Sequence, residues 1–508
     1  MKIALHKKAW LKRWIALGFI GALSACEKFL DEPPQGAITE EAIRTTPSAA
    51  EDLVTGVYNA LWDGDVHGFN YVGVTNIPSD DADKGSSPAD GATSFGRLDN
   101  LDMDASVGIL NNVWSGYYRS LARANQALDK IPLSPVGAAV QARLQGEVRF
   151  LRAYFYFNLV RLFGGVPRID RVPDPAELNN PQFQTRAPAP EIYDLIVSDL
   201  RYAVKYLPIK GQSATGRATK GAAMGLLAKV WLYRQDYQRA LNLSDSIVAG
   251  HAGPYDLLPS YENIWREAGN NSVESLFEVQ TGVNTACNAA IALYSVSQGP
   301  RAGGKRGWAD LGFGFGTPSQ SLLGEYEPGD RRLAATIIFI NPPPLGTRLW
   351  DGYRVPSRDS VENDRYNYKA YHSRTAERNC GVNDRLPKNL RILRYGEVLL
   401  IHAEAAFALG QPGVALTDIN RLRLRAGLPG LTAITREAIW HERRLELALE
   451  HDRFFDLVRQ EAVQPGRAVE AFAAHGKTFT RNKNEVFPIP STQIQLSGGA
   501  LMQNPGYQ

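Results

Sequence analysis

Apolar residues recur at intervals of three and four along several stretches of the chain, which places them on one face of a helix. The pattern predicts helices over residues 48–61, 110–130 and 140–163. The third stretch is apolar nearly all round and is followed by two glycines, so we expect a buried helix that ends there. Residues 63–109 are rich in Gly, Asp, Asn and Ser, which favour turns.

Two later stretches, residues 228–241 and 403–416, repeat one pattern. Aligned without gaps, they place Ala228 over Ala403 and Ala240-Leu241 over Ala415-Leu416. In each stretch a helix, a tight turn and a second helix follow one another, and the small alanines let the two helices approach closely. Tetratricopeptide units are built in this way and stack to bury one continuous face. We therefore expect a scaffold of helix pairs.

The region between these pairs, from about residue 269 to 390, has a different pattern. It is dense in Gly, Pro, Asn and aromatic residues, and it contains short strand-like runs at 275–280 and 335–340. A long irregular region carried by a helical scaffold is a common place for a binding surface.

The last helical stretch, residues 436–460, carries charges at spacings of three and four residues. We interpret it as one helix with a salt-bridged face. The charged residues are Arg443, Glu446, Glu450, Arg453, Asp456 and Arg459.

The beginning of the chain has the layout of a secretory signal peptide. Five basic residues precede an apolar run at 15–22 that is too short to span a bilayer permanently. Leu23-Ser24-Ala25-Cys26 resembles the lipobox of bacterial lipoproteins, so residues 1–25 are predicted to be removed and Cys26 to be acylated. An ordinary signal peptide with a chance cysteine is the alternative. No later stretch approaches 18 consecutive apolar residues.

Removing this segment changes the charge of the protein. The five basic residues account for more than the whole net charge of +3, so the chain from Cys26 onward carries −2. Nucleic acid binding therefore loses its support, because it needs clustered Lys and Arg. Cys287 and Cys380 are the only later cysteines. They could pair in an oxidising exterior, but they make neither a disulfide framework nor a metal site.

Three patterns resemble catalytic or metal motifs and fall short of them. Residues 299–305 begin like a phosphate-binding loop, but Arg306 stands where Ser or Thr would ligate magnesium. His441 opens like a zinc protease helix, but Leu445 replaces the second histidine. Asp80 to Asp83 faintly resembles a calcium loop without its closing glutamate. We expect a solvated acidic turn there; contact with the hydroxyls or amines of a ligand is the alternative, and a Ca²⁺ site is a further one.

Aromatic residues in the irregular segments are the strongest candidates for ligand contact. Flat rings stack on sugars or on peptide side chains while nearby carboxylates make directional hydrogen bonds. Core packing is the alternative for any one of them. The candidate ligand-binding residues are Tyr71, Asp80, Asp81, Trp308, Trp350 and Tyr353.

Taken in order, short motifs over the whole chain after the signal resemble the SusD/RagB family of outer-membrane lipoproteins. The motifs are residues 26–31 (CEKFLD), 56–58 (GVY), 78–81 (PSDD), 114–118 (WSGYY), 123–125 (RAN), 146–167 (GEVRFLRAYFYFNLVRLFGGVP), 216–220 (GRATK), 394–398 (RYGEV), 403–404 (AE), 442–447 (ERRLEL), 454–457 (FFDL), 487–490 (FPIP) and 503–507 (QNPGY).

The resemblance implies a mainly α SusD-like fold with about four tetratricopeptide-like pairs and irregular segments packed on one side. It implies a single domain over 26–508, with an N-terminal part at 26–250 and a C-terminal part at 269–508. The implied ligand surface covers residues 70–90 and 282–353. No individual binding residue can be carried over, because the family's binding residues vary from member to member.

The function implied by the resemblance is capture of an oligosaccharide at the cell surface, without catalysis or cofactor. The partner would be a SusC-like TonB-dependent transporter of the outer membrane, which the protein would cover as a lipid-anchored lid facing the exterior. Three alternatives remain at this point: a peptide-binding lid of the same family, a lipoprotein glycoside hydrolase using unrecognised carboxylates, and an assembly factor that binds only other proteins.

Overall fold

The computed structural model describes residues 39–177, 180–281, 293–301, 312–340, 348–355, 357–373, 376–377 and 388–507. The α-helices are α1 (Glu40–Thr45), α2 (Pro47–Asn59), α3 (Gly64–His67), α4 (Phe69–Thr75), α5 (Phe95–Asp99), α6 (Gly108–Lys130), α7 (Ala138–Phe163), α8 (Pro181–Gln184), α9 (Ala189–Tyr206), α10 (Lys220–Tyr233), α11 (Tyr237–Val248), α12 (Tyr294–Gln298), α13 (Gln320–Glu325), α14 (Arg331–Thr336), α15 (Tyr395–Ala408), α16 (Pro412–Ala426), α17 (Arg436–Glu446), α18 (Arg453–Val463), α19 (Arg467–Ala474) and α20 (Ser491–Leu496). The strands are β1 (Ala82–Gly85), β2 (Ser275–Val279), β3 (Phe315–Pro318), β4 (Ile337–Phe339), β5 (Arg365–Asn367) and β6 (Leu390–Arg394).

The three helices predicted in the first third of the chain are confirmed as α2, α6 and α7. Pro47 begins α2, at a position whose N–H would have no partner inside the helix. Every side chain of α7 from Phe150 to Phe163 is buried, as its all-round apolar pattern predicts. Gly164 ends α7 with a φ of +71°, a conformation that favours glycine.

The long helices pack in series and form the scaffold. α6 packs on α7, α7 on α9, α9 on α10, and α10 on α11; α11 then packs on α15, and α15 on α16. The contact between α11 and α15 therefore joins the two helix pairs that share the repeated pattern. Ala228, Ala240, Ala403 and Ala415 are all completely buried, so the predicted close approach at these alanines is confirmed.

The strands form three two-stranded antiparallel sheets. β1 pairs with β3, β2 with β6, and β4 with β5. The strand predicted at 275–280 is confirmed as β2. The one predicted at 335–340 shortens to β4, because α14 extends through Thr336.

The single helix predicted over residues 436–460 is wrong. α17 ends at Glu446 and α18 begins at Arg453, and between them Leu449 and His451 adopt φ values of +62° and +72° that no helix can continue through. The charged residues do form ion pairs, but not along the face of one helix, and all of them except Glu450 are buried.

These charges pair mainly with residues from other elements. Arg443 donates to Glu397 of α15 at 2.8 Å and to Asp456 of α18 at 2.7 Å. Glu446 accepts from Arg394 at 2.5 Å. Arg459 pairs with Asp456 at the predicted spacing of three residues, at 2.8 Å. The network ties the C-terminal helices to the scaffold and to the irregular segments.

One large hydrophobic core extends from Ala50 in α2 to Leu501 near the end of the chain. A smaller cluster, which includes Ile338, Leu349, Tyr366 and Tyr371, lies beneath the segment around β4 and β5. Among the described helices, none combines the length and the apolar character needed to cross a membrane.

Candidate functional site

The irregular segments around β1, β3 and β5 line an open polar cleft of about 350 Å³. We call it the polar cleft. Asn363 donates from Nδ2 to the Ser86 carbonyl at 3.3 Å, and Arg365 donates from Nε to the Pro318 carbonyl at 3.0 Å. These bonds fasten the segment before β5 to the β1–β3 sheet. The lining residues that carry charge are Asp83, Lys84, Asp99, Arg358, Glu362, Asp364 and Arg365.

Most of the charges in and beside the polar cleft already have partners. Lys84 donates from Nζ to the carbonyls of Gly85, Ser87 and Asp90 at 2.8–2.9 Å, and burial lowers its pKa. The Ser86 hydroxyl donates to Asp90 at 2.7 Å, and hydrogen bonds from Ser86 and Ser87 lower the pKa of Asp90. The cleft is therefore lined by polar groups of both charge signs, most of them held in place by neighbouring groups.

Four phenylalanines form a ring cluster beside β3. The Phe69 ring lies 4.5 Å from Phe95 and 5.1 Å from Phe315, measured between centroids. Phe315 and Phe95 are buried, whereas Phe313 is 38% exposed. The cluster packs β3 against α4 and leaves the Phe313 ring at the surface.

Trp350 lies at the tip of a hairpin formed by residues 348–354. The backbone N–H of Leu349 donates to the Tyr353 carbonyl at 2.8 Å, and the backbone N–H of Trp350 donates to the Tyr368 hydroxyl at 2.7 Å. The guanidinium of Arg266 lies 4.9 Å from the centroid of the Trp350 ring, which is 38% exposed. Tyr353 is half-buried against the small hydrophobic cluster. Trp350 therefore presents an aromatic surface that a sugar ring could stack on.

Tyr71 does not lie on an exposed loop. It is in α4, 6% exposed, and its ring packs against His67 and His451 at centroid distances of 5.0 and 4.5 Å. Burial raises the pKa of its hydroxyl. The expectation that Tyr71 faces a ligand is corrected, because its apolar environment is the protein core.

The solvated acidic turn predicted at residues 80–83 is also wrong at its first two positions. Asp80 and Asp81 are each 1% exposed. Arg453 donates to both oxygens of Asp80 at 2.7 Å, and Arg444 donates to Asp81 at 2.7 Å. Burial alone would raise the pKa of Asp80, but the two arginines outweigh it and hold that pKa below its ordinary value. These carboxylates are structural ion-pair partners, and they do not face a ligand.

The same contacts remove the basis for a calcium site. Calcium needs several oxygens free to converge on one point, whereas arginines occupy Asp80 and Asp81, and Asp83 pairs with His475 at 3.0 Å. Within the ranges that the structure describes, no three His, Cys, Asp or Glu side chains are grouped for metal binding. The residues present do not fit the ion.

Four predicted residues lie outside the described residues: Cys26, Cys287, Trp308 and Cys380. Lipid attachment at Cys26, a disulfide between Cys287 and Cys380, and ligand contact by Trp308 stay predictions.

Glycoside hydrolysis uses a pair of carboxyl groups, and four carboxylates line the described part of the polar cleft: Asp83, Asp99, Glu362 and Asp364. Such a reaction needs one acid whose pKa is raised so that it can donate a proton. The pKa values of Glu147 and Glu442 are raised by burial, but both are paired with arginines away from the cleft. Asp83, which does line the cleft, has a lowered pKa because His475 outweighs its burial.

Sequence reasoning missed the arginines that determine these roles. The charged helix face predicted at 436–460 includes Arg453 but not Arg444, and neither Arg444 nor Arg266 is predicted to contact the site. A usable signal is present at 443–453, where charged residues are interspersed with apolar residues that predict burial, and buried charges need partners; residues 80–81 have no comparable apolar neighbours in sequence.

Comparisons with known proteins agree with this architecture. Residues 262–507 match the model of the SusD family, and residues 28–232 match a model described as "Starch-binding associating with outer membrane". A SusD-like protein from Bacteroides ovatus is 26% identical, over 100% of this chain and 92% of its own.

Solved structures resemble the chain over almost its whole length. A laminarin-binding SusD-like protein is 28% identical with a TM-score of 0.76, covering 91% of this chain and 99% of its own. Surface glycan-binding protein A from Bacteroides fluxus is 26% identical with a TM-score of 0.72, covering 91% and 100%.

Proposed function

This chain belongs to the SusD family, and from that premise we propose that it captures an oligosaccharide at the cell surface and passes it to a TonB-dependent transporter of the outer membrane. The protein would be held there by a lipid on Cys26. It would bind its ligand without chemical change and without a cofactor.

The observation that carries the proposal is the exposed ring of Trp350 on a hairpin of the irregular segments. An aromatic face offers a sugar ring a flat apolar surface, and the polar cleft on the same irregular segments offers hydrogen-bonding groups. The laminarin-binding relative supports a glycan as the ligand class. Trp308 is a second predicted stacking residue.

Handover requires modest affinity, because a ligand held too tightly would not leave for the channel. Stacking on one or two aromatic rings supplies affinity of that order. The helical scaffold, which is rigidly packed, would contact the transporter and move as a lid.

Affinity electrophoresis of the full chain across a panel of polysaccharides tests the proposal. We expect retarded migration in at least one glycan, and about tenfold weaker retention for Trp350→Ala, the loss of one stacking contact. Tyr206→Ala is the matched control, since Tyr206 is also 38% exposed but lies on α9 of the scaffold. Trp308→Ala in the same assay tests the second ring.

The panel also separates the alternatives. Binding only to peptides would replace the glycan with a peptide ligand, although the carboxylates that motivated that reading are now occupied by arginines. Shortened products from a labelled oligosaccharide would establish a hydrolase. Failure to retain the protein in any glycan would contradict the proposal.

A further inference from the structure

The hairpin at residues 348–354 places two arginines directly opposite one another. Arg348 and Arg354 are partners in an antiparallel bridge. Leu349 and Tyr353, the next pair of opposite residues toward the turn, are joined by a hydrogen bond from Leu349 N to Tyr353 O. Arg348 and Arg354 therefore occupy a non-hydrogen-bonded position, where Cα atoms approach to about 4.5 Å and side chains lie closest.

Like charges at such a position destabilise a hairpin unless something neutralises them. Both arginines are exposed. Arg348 donates to the Gly352 carbonyl at 2.8 Å, and neither arginine forms an ion pair with any residue that the structure describes. Asp351, the acid between them in sequence, accepts hydrogen bonds from Tyr353 N and from the Tyr371 hydroxyl.

Two other arginines, one against the Trp350 ring and one four residues after Arg354, are neutralised. Arg266, behind the Trp350 ring, pairs with Glu262 at 2.6 Å, and Arg358 pairs with Asp364 at 2.6 Å. The repulsion is therefore confined to the two arginines that flank the exposed tryptophan.

We propose that the hairpin binds the acidic group of a sugar that stacks on Trp350, so that the natural ligand is an acidic glycan. The proposal rests on the function proposed above and names the substrate class of the same site. A carboxylate or a sulfate ester has oxygens that accept paired hydrogen bonds from the planar fork of an arginine. An oxyanion held between Arg348 and Arg354 would also cancel their repulsion.

Calorimetric titration of the full chain with three tetrasaccharides tests this inference: a galacturonate, a sulfated galactan and neutral laminaritetraose. We expect one acidic probe to bind at least about tenfold more tightly than the neutral one at low salt, as for a charge-assisted contact. Its affinity should fall as salt is added, because exposed charges are screened. The two acidic probes distinguish a carboxylate from a sulfate ester.

The double variant Arg348→Gln/Arg354→Gln should lose about tenfold or more in affinity for the acidic probe and most of its salt dependence, with neutral binding unchanged. The matched control is Arg234→Gln/Arg239→Gln, two arginines that flank Trp231 on the scaffold. It should bind like the wild type.

Two results would overturn the acidic ligand while leaving the proposed function intact. One is laminaritetraose binding at least as tightly as the tighter-binding acidic probe, and the other is full affinity of the double variant for that acidic probe. Absence of binding to all three probes, together with no retention in the polysaccharide panel, would instead overturn the proposed function.

Discussion

Replacing Asp80 by asparagine should destabilise the protein strongly without altering its ligand surface. The substitution keeps the shape of the side chain but removes the charge that Arg453 contacts through two hydrogen bonds of 2.7 Å. The nearest remaining carboxylate oxygen, on Asp81, lies 3.8 Å from Arg453 Nε. Arg453 would then be a buried cation without a close partner.

The cost of that state sets the expected magnitude. Breaking a buried ion pair by removing one partner costs about 3–5 kcal/mol. Folded proteins have free energies of unfolding of about 5–15 kcal/mol, so the loss would be a large share. Arg444 also lies 3.1 Å from Asp80, but it keeps Asp81 and Glu325 as partners. Only Arg453 therefore loses its main partner, and the expected cost is that of one broken ion pair.

Urea denaturation followed by circular dichroism measures the change in the free energy of unfolding. Glu40→Gln is the control, because Glu40 and Arg44, the nearer of its two partners Arg44 and Lys130, are both more than half exposed, and we expect no measurable change there. Arg453→Met added to Asp80→Asn should recover much of the loss, since neither charge then remains buried.

The reasoning would be refuted by an Asp80→Asn variant as stable as the wild type. The folded variant should also bind glycan normally, because Asp80 is 1% exposed. Weakened glycan binding at unchanged stability would mean that Asp80 contacts the ligand after all.

Two further predictions concern pH and the lipid anchor. Burial lowers the pKa of His67 to about 4, below its ordinary value of 6.5, so the stability due to its neutral form is complete above pH 6.5 and is lost as pH falls toward 4, by up to about 3 kcal/mol. Urea unfolding at several pH values should show this loss, and His67→Gln should reduce it; equal pH slopes in both proteins would contradict the assignment. Cys26→Ala should abolish incorporation of labelled palmitate and release the protein from the membrane fraction. Labelling that persists in this variant would mean that Cys26 is not the acylated residue.

The helical half of the fold was accessible from sequence because its elements are determined locally. The apolar pattern of α7 and the alanines shared by 228–241 and 403–416 indicate both the helices and the faces that they bury. Trp350 was also identified correctly as a surface aromatic. In each case the signal lies within a short stretch of chain.

The charged residues were misread because their partners are distant in sequence. Arg443 at the spacing of a helix ladder looks like a surface residue, yet Glu397 lies 46 residues away and Asp456 on the far side of a break. Periodicity indicates which residues share one face of a helix. It does not indicate which distant element packs against that face. The same reason explains why Asp80 and Asp81 looked solvated.

The ion pair between Asp80 and Arg453 also has a consequence for how the protein is made. The two residues are separated by 373 positions, so the acidic turn is synthesised long before the arginine that neutralises it. Until nearly nine-tenths of the chain has been synthesised, Asp80 lacks the arginine that contacts both of its carboxylate oxygens, and burying an unpaired carboxylate is costly. A polypeptide that terminates before Arg444 would never satisfy these carboxylates. We therefore expect chains that end before α18 to leave this part of the fold incomplete and to be degraded by proteases.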